Sequence, residues 1–364
     1  MNHNTQILHN LGQRLWLDNI TRELLTSGTL ARYIAELSVT GLTSNPTIFE
    51  QAISKSSVYD EAIQKLASQG LTEEGIFFAV ALQDLTRAAD LFRPIFDKSA
   101  GSDGWVSLEV SPLLAKDTAG TVKAALQLQA QAARPNLFIK IPGTPEGIAA
   151  IEQSIFKGVP INVTLLFSRE HYMAAAEAYL RGIERRVAAG LNPRVESVAS
   201  MFVSRWDTSV KDEISPPFHN RLGIAMAMRT YRAYRNVLAS TRWNKLAQAG
   251  AVPQRMLWAS TGTKDAAAPD TLYVQALIAP DTINTIPEKT LLAFADHGKV
   301  GAALSNDGGY SEAVLEEFRR EGVDDEALAA RLQDEGVQLF SKSWSALMAR
   351  ISEKTSPAAA VGLV

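Results

Sequence analysis

The 364-residue sequence has no cysteine, which excludes a disulfide framework, a thiolate nucleophile and cysteine-ligated metals. Its histidines are only His3, His9, His171, His219 and His297, and no two share the spacing of an H-x-x-x-H pair. A metal-dependent enzyme of that kind therefore has no ligand set to build on. Excess charge of one sign is also missing. The 36 basic and 39 acidic side chains leave a formal net charge of −3, which argues against nucleic acid, since phosphate backbones are held by surplus Lys and Arg. No uninterrupted apolar run reaches the roughly 18 residues of a membrane span, and the start MNHNTQILHNLGQRLW has no basic segment leading into an apolar one. The expectation is a cytoplasmic protein with no membrane partner. There is no G-x-S-x-G elbow and no P-loop, so serine-hydrolase and nucleotide-dependent readings lack support. Solenoid-type repeats and Pro/Gly/Ser-rich linkers are absent too, which points to one domain over residues 1–364. Within it, the small, unpatterned residues 354–364 are expected to form a flexible tail.

What the sequence does contain is alternation. Eight short β-type runs recur: Leu15 to Asn19, Gly41 to Ser44, Trp105 to Val110, Asn136 to Ile141, Ile161 to Phe167, Val198 to Ser204, Arg255 to Ser260 and Asp281 to Ile286. Most are followed by a segment of helical periodicity, the pattern of a parallel sheet with crossover helices. Thr144-Pro145-Glu146 supplies an N-cap, a first-turn proline and a first-turn acid, and Gly158 ends that helix. Ser168 opens another helix, which closes in basic residues and Gly190. Thr72 to Ser99 predicts a long helix, preceded by a shorter one over Ser57 to Gln69, and Leu222 to Ala249 predicts a second long helix.

An open doubly wound sheet could show the same alternation, so the strand ends must decide. A Rossmann sheet follows its first strand with a Gly-rich phosphate turn, whereas here that strand ends in Leu17-Asp18-Asn19. Polar residues instead close nearly every strand: Asp18, Asn45, Glu109, Lys140, Asn162 with Thr164, Ser200 with Arg205, and Ser260 leading into Thr261-Gly262-Thr263-Lys264. Catalytic groups at the C-terminal ends of many strands are the habit of a (β/α)8 barrel, where all converge on one mouth. The fold class expected is α/β, a single (β/α)8 TIM barrel with extra helices.

Lys140, inside the apolar run Leu137-Phe138-Ile139-Lys140-Ile141, is the most informative of these residues. Removing such a lysine from water favours the neutral amine, which can attack a carbonyl. An edge-strand lysine that snorkels to solvent is the plainer alternative. Asp18 and Glu109 could move protons beside it, although Asp18 could equally be a helix cap and Glu109 the partner of a nearby cation. Arg205 and the Ser260–Lys264 loop have the composition of a phosphate site, but a turn rich in Ser, Thr and Gly can also be only a loop.

These segments together resemble the transaldolase family, and the resemblance spans most of the chain. LWLDNI resembles the family's first strand with its Asp, GLTSNPTIF the second with its Asn-Pro, VSLEVSP the third with its Glu, and NLFIKIPGT the Schiff-base strand. INVTLLFS, VASMFVSRW and WASTGTKD resemble the fifth, sixth and seventh strand ends, the last in the form of a longer bacterial branch. The resemblance implies Lys140 as the Schiff-base nucleophile, Asp18 as the acid/base in carbon–carbon cleavage, and Glu109 with Thr164 as holders of a catalytic water. It further implies Asn45 and Asn162 as partners of the three-carbon unit's hydroxyls, Ser200, Arg205, Ser260 and Lys264 facing the phosphate, and Phe202 lining the substrate site. The implied reaction is a ping-pong transfer in the non-oxidative pentose phosphate pathway, exchanging fructose 6-phosphate and erythrose 4-phosphate for sedoheptulose 7-phosphate and glyceraldehyde 3-phosphate. Sugar phosphates are thus the expected partners, no metal or organic cofactor is required, and the expected assembly is a monomer or homodimer. One departure stands out. Many members carry an Arg just behind the seventh-strand serine, whereas the nearest cation here is Lys264, a point charge without the guanidinium fork. The nearest rival is a fructose-6-phosphate aldolase, which releases free dihydroxyacetone; such enzymes tend to have Gln and Tyr where this chain has Glu109 and Phe202. A non-catalytic barrel that merely binds sugar phosphates is a rival of another class.

Overall fold

The computed structural model describes residues 1–355. Eight parallel strands close into a barrel in sequence order: β1 (Arg14–Leu17), β2 (Val39–Leu42), β3 (Val106–Glu109), β4 (Leu137–Pro142), β5 (Ile161–Leu166), β6 (Ser197–Phe202), β7 (Gln254–Ala259) and β8 (Thr282–Ile286). β1 pairs with β8 as well as β2, so no edge is left for a lysine to snorkel from. Strands β3 to β6 are buried along their whole lengths, as expected when side chains fill the barrel on one face and helices cover the other. All eight strands fall where the sequence places them. The largest offset is in β2, expected from Gly41 and observed from Val39. A Cβ at Gly41 would stand 2.6 Å from the Trp105 carbonyl oxygen and 2.7 Å from Trp16 Nε1, so this glycine sits mid-strand because the indole needs its space.

The helices obey local signals. Thr72, Thr144 and Ser168 each accept a hydrogen bond at the N-terminus of the helix they precede, Glu73–Lys98, Pro145–Phe156 and Arg169–Ala188 respectively. The expected helix over Ser57 to Gln69 begins later, at Asp60. The single helix expected over Leu222 to Ala249 is two, Leu222–Ala239 and Thr241–Gln248. Ser240 between them is extended (φ −71°, ψ 148°) and its side chain accepts from the Trp243 N–H, a cap strong enough to break the run. Of the tail expected over residues 354–364, Lys354 and Thr355 belong to the helix Asp325–Thr355; residues 356–364 lie outside the described residues. No described helix is long and apolar enough to cross a membrane.

That 31-residue helix lies across the mouth of the barrel. Gln333 donates to the carbonyl oxygens of Gly143 (3.1 Å) and Leu165 (2.9 Å) at the ends of β4 and β5, and ten residues on, Ser343 and Thr47 share a hydrogen bond of 2.8 Å beyond β2. At Gly336 an added Cβ would come 2.9 Å from Leu165 Cδ2 and 3.3 Å from Arg205 Nη1, so the helix makes its closest approach where it carries no side chain. Leu165 itself has a φ of 58°, and the β5–β6 register shifts between Val163 and Leu166. This bulge interrupts the ladder around Thr164, and pairing resumes at Leu166 with Met201.

Candidate active site

A cavity of about 350 Å³ opens at the C-terminal ends of the strands beneath this helix. It is lined by Asp18, Asn45, Lys140, Thr164, Ser200, Phe202, Arg205, Ser260 and Lys264, nine of the eleven residues expected from the sequence. The other two, Glu109 and Asn162, are buried against it. A larger groove of about 630 Å³ runs between the helices Glu73–Lys98 and Thr118–Ala132. Its walls carry few convergent polar groups, so the smaller cavity is the better candidate for chemistry.

Strand register brings the central groups together. Glu109 lies opposite Lys140, and Lys140 opposite Asn162. Lys140 Nζ stands 3.2 Å from Glu109 Oε2, with the two side chains only 6% and 4% exposed, and donates to the Ser44 carbonyl oxygen at 3.2 Å. The lysine therefore does not snorkel, and the alternative of Glu109 as partner to a cation is met by Lys140 itself. A polar chain supports the floor of the site: Ser200 Oγ donates to Asn162 Oδ1 (2.7 Å), Asn162 Nδ2 to Ser107 Oγ (3.1 Å), and Ser44 Oγ to the Ser107 carbonyl oxygen (2.7 Å). Each bond fixes a neighbour's rotamer, so the floor is held as a unit.

Asp18 is not a helix cap, because Thr21 caps the next helix, Arg22–Thr26. Its carboxylate instead accepts a 2.9 Å hydrogen bond from Thr43 Oγ1, which lies 2.6 Å from Thr285 Oγ1. Burial pushes the Asp18 carboxyl above the usual carboxylate range, while Lys140, Thr43 and Lys264 pull it back. Glu109 is raised for the same first reason, again opposed by Lys140. Two carboxyls held above their ordinary values beside a buried amine suit proton transfer. Glu109 Oε2 meets the Lys140 amine as its ion-pair partner, while Thr164 Oγ1 is buried and makes no hydrogen bond to the described residues.

The far end of the cavity is cationic. The Arg205 guanidinium lies between aromatic faces, 5.1 Å from the centre of the Phe202 ring and 5.9 Å from that of Phe340, an arrangement that leaves its N–H edge free. Ser260 has a φ of 56°, uncommon for a residue other than glycine, and its hydroxyl is 2.9 Å from that of Ser204. Lys264 is exposed at the rim, while its neighbour Asp265 is tied down by Lys211 (3.1 Å) and Asn220 (2.8 Å). Asn45 spends its Oδ1 capping the helix Pro46–Lys55 through the Ile48 N–H at 3.1 Å, which leaves its amide N–H₂ for a ligand.

Sequence reasoning missed Thr43, Thr47, Gln51, Thr285, Leu339 and Phe340, all of which line the cavity. Thr43 stands inside GLTSNP, and Thr285 lies near the end of β8, the one strand without a sequence-predicted site residue. Phe340 and Leu339 come from the roof helix, whose buried positions Leu328, Leu332, Gly336, Phe340, Trp344, Leu347 and Ile351 follow a helical spacing that was available to find it.

A sequence model of the transaldolase/fructose-6-phosphate aldolase family matches residues 15–351. The chain is 45% identical to a transaldolase of Thiobacillus denitrificans over 355 residues, covering 95% of this chain and 99% of that protein. It is 43% identical to a transaldolase of Renibacterium salmoninarum, covering 100% and 99% of the two chains, and 44% identical to one of Thermobifida fusca, covering 96% and 97%.

Proposed function

Since this chain belongs to the transaldolase/fructose-6-phosphate aldolase family, we propose that it is a transaldolase, a transferase that moves a dihydroxyacetone unit between sugar phosphates through a Schiff base on Lys140. The observation that carries the reading is the buried Lys140 amine, 3.2 Å from the Glu109 carboxylate, in a cavity that also holds Asp18 and the guanidinium of Arg205. Lys140 attacks the ketose carbonyl, and loss of water gives an iminium. Asp18, as the carboxylate, takes the proton of the hydroxyl on the carbon beyond the scissile bond, so that bond breaks and an aldose leaves. The electron pair stays on the lysine-bound fragment as an enamine. When an acceptor aldose arrives, its aldehyde carbon bonds to the enamine carbon, its oxygen takes the proton back from Asp18, and water releases the new ketose.

In this reading Glu109 and Thr164 hold the water that enters and leaves at the carbinolamine, an assignment supported by the buried Thr164 Oγ1, which has no partner among the described residues, and by the Glu109 carboxylate beside the Lys140 amine. Asn45 and Asn162 meet the hydroxyls of the three-carbon unit. Ser200, Arg205, Ser260 and Lys264 receive the phosphate, with the guanidinium opposing most of its charge because it is half-buried and forked, whereas Lys264 is exposed. Phe202 forms the apolar wall behind Arg205. The exchange of fructose 6-phosphate and erythrose 4-phosphate for sedoheptulose 7-phosphate and glyceraldehyde 3-phosphate is the proposed reaction, in the non-oxidative pentose phosphate pathway. Its substrates are charged and confined by membranes, which favours a cytoplasmic location. The proposed assembly is a monomer or homodimer.

Borohydride reduction with fructose 6-phosphate, followed by mass mapping, tests the mechanism: a three-carbon adduct is expected on Lys140 and none on Lys264. A label elsewhere overturns it. Release of free dihydroxyacetone without an acceptor, at a rate equal to turnover, would move the enzyme to the aldolase branch.

A further inference from the structure

We infer that Phe340, on the roof helix, determines what becomes of the bound three-carbon unit, by keeping solvent protons from the enamine carbon until an aldehyde arrives. This rests on the Schiff-base reading of Lys140. The centre of the Phe340 ring is 5.9 Å from Lys140 Nζ and 5.9 Å from the Arg205 guanidinium carbon. The ring is 4% exposed. It therefore spans the distance between the amine that holds the three-carbon unit and the cation that receives the phosphate, which is where the bond between unit and acceptor must form. Side-chain contacts from the helix fix its depth. Gln333 pins the helix to the Gly143 and Leu165 carbonyl oxygens on one side, and Ser343 pins it to Thr47 on the other. Gly336, about one turn before the ring, lets the helix settle against Leu165 and Arg205.

The enamine has two fates, and they differ in the electrophile that meets its carbon. In transfer the carbon bonds to an aldehyde carbon, and the aldehyde oxygen takes its proton from Asp18. In release the same carbon takes a proton from solvent, giving the iminium of dihydroxyacetone. Either iminium then adds one water, and the carbon–nitrogen bond breaks to return the Lys140 amine. Water is thus consumed once on both routes, so the site must admit it at the iminium without delivering a proton to the enamine carbon. An apolar ring over that carbon meets both demands: it offers no donor, and it gives way to nothing smaller than a substrate packed against it.

The test is the partition between fates, a ratio that does not depend on the fraction of active protein. Wild type, Phe340→Ala and Phe340→Leu are given fructose 6-phosphate in D₂O with and without erythrose 4-phosphate, and the ratio of free dihydroxyacetone to transferred product is measured, together with deuterium on the released carbon. Phe340→Ala is expected to raise that ratio by roughly tenfold or more, and Phe340→Leu by less, with matching deuterium incorporation. An unchanged ratio in a folded variant overturns the inference. If Phe340→Ala does not fold, Phe340→Leu decides by the same criterion. Borohydride trapping of the wild type separates the two levels: no adduct on Lys140 sinks the Schiff-base reading, whereas a Lys140 adduct with an unchanged partition sinks only the role of Phe340.

Discussion

The strand ends and the roof helix build the same cavity by different means. Lys140, Glu109 and Asn162 are carried on paired strands, so backbone ladders set their mutual positions and one displaced residue would disturb a whole register. Phe340 and Leu339 reach the cavity on a helix laid over the mouth, held near it by the side chains of Gln333 and Ser343. Its start is held farther off, where Arg229 pairs with Asp325 at 2.7 Å and with Glu312 at 2.6 Å. The contrast assigns chemistry to the rigid part and the choice between products to the docked part. Changes to the strand ends should alter rates, and changes to the roof should alter outcomes.

The sharpest test of the strand-end half is Lys140→Ala. Without the amine no covalent intermediate forms, and kcat should fall by about a thousandfold or more, measured by coupled assay of glyceraldehyde 3-phosphate with circular dichroism as the folding control. Full activity in that variant would end the contrast at once. Next in size is Arg205→Ala. Loss of charge-assisted hydrogen bonds to phosphate, worth about 1.5–3 kcal/mol, should lower kcat/KM roughly 10- to 100-fold, whereas Lys264→Ala at the exposed rim should cost roughly threefold or less. The reverse order would mean that the loop lysine has taken over the anchor.

A smaller effect is expected from the roof's pins. Gln333→Met keeps the side chain's bulk but leaves the Gly143 and Leu165 carbonyl oxygens without their donor, at a cost of about 1–3 kcal/mol. Thermal unfolding should show that loss. Acceptor-free release of dihydroxyacetone should rise, though less than in Phe340→Ala, because the ring remains. A stability loss with no change in release would show that the helix holds its place over the mouth without this pin.

The same contrast explains what the sequence made legible. Each strand brings its own apolar run and its own closing polar residue, so Asp18, Glu109, Lys140 and Thr164 could be named from local pattern, and the barrel followed from their number. The roof helix has an equally plain apolar spacing, but where it docks depends on Gln333 meeting two carbonyls far away in sequence, which no local pattern encodes. Ser240 was readable in principle as a cap between two helices and was overridden by the longer apolar periodicity. Thr43 and Thr285 carry no local signal for another reason: the chain has many threonines, and it is the pairing of β2 with β1 that brings Thr43 to Asp18 and the closure of β8 against β1 that brings Thr285 to Thr43.

Those threonines give the finest test of the rigid half. Thr43 has one hydroxyl proton and donates it to Asp18, so in the 2.6 Å contact with Thr285 it must accept, and Thr285 must be the donor. The chain therefore points at the carboxylate and favours its ionised form, against the burial that raises it. In the proposed mechanism Asp18 takes the substrate's proton as the carboxylate, so kcat/KM should climb with pH as this group deprotonates. In Thr43→Val the donor is gone and the opposition to burial weakens, so the carboxyl's pKa rises and the acid limb of the profile moves to higher pH. Thr43→Ser restores the proton and should return the limb, while Thr285→Val, one bond farther off, should shift it less in the same direction. A limb that stays fixed in Thr43→Val, or moves to lower pH, would show that the strand ends set the position of Asp18 without setting its proton affinity.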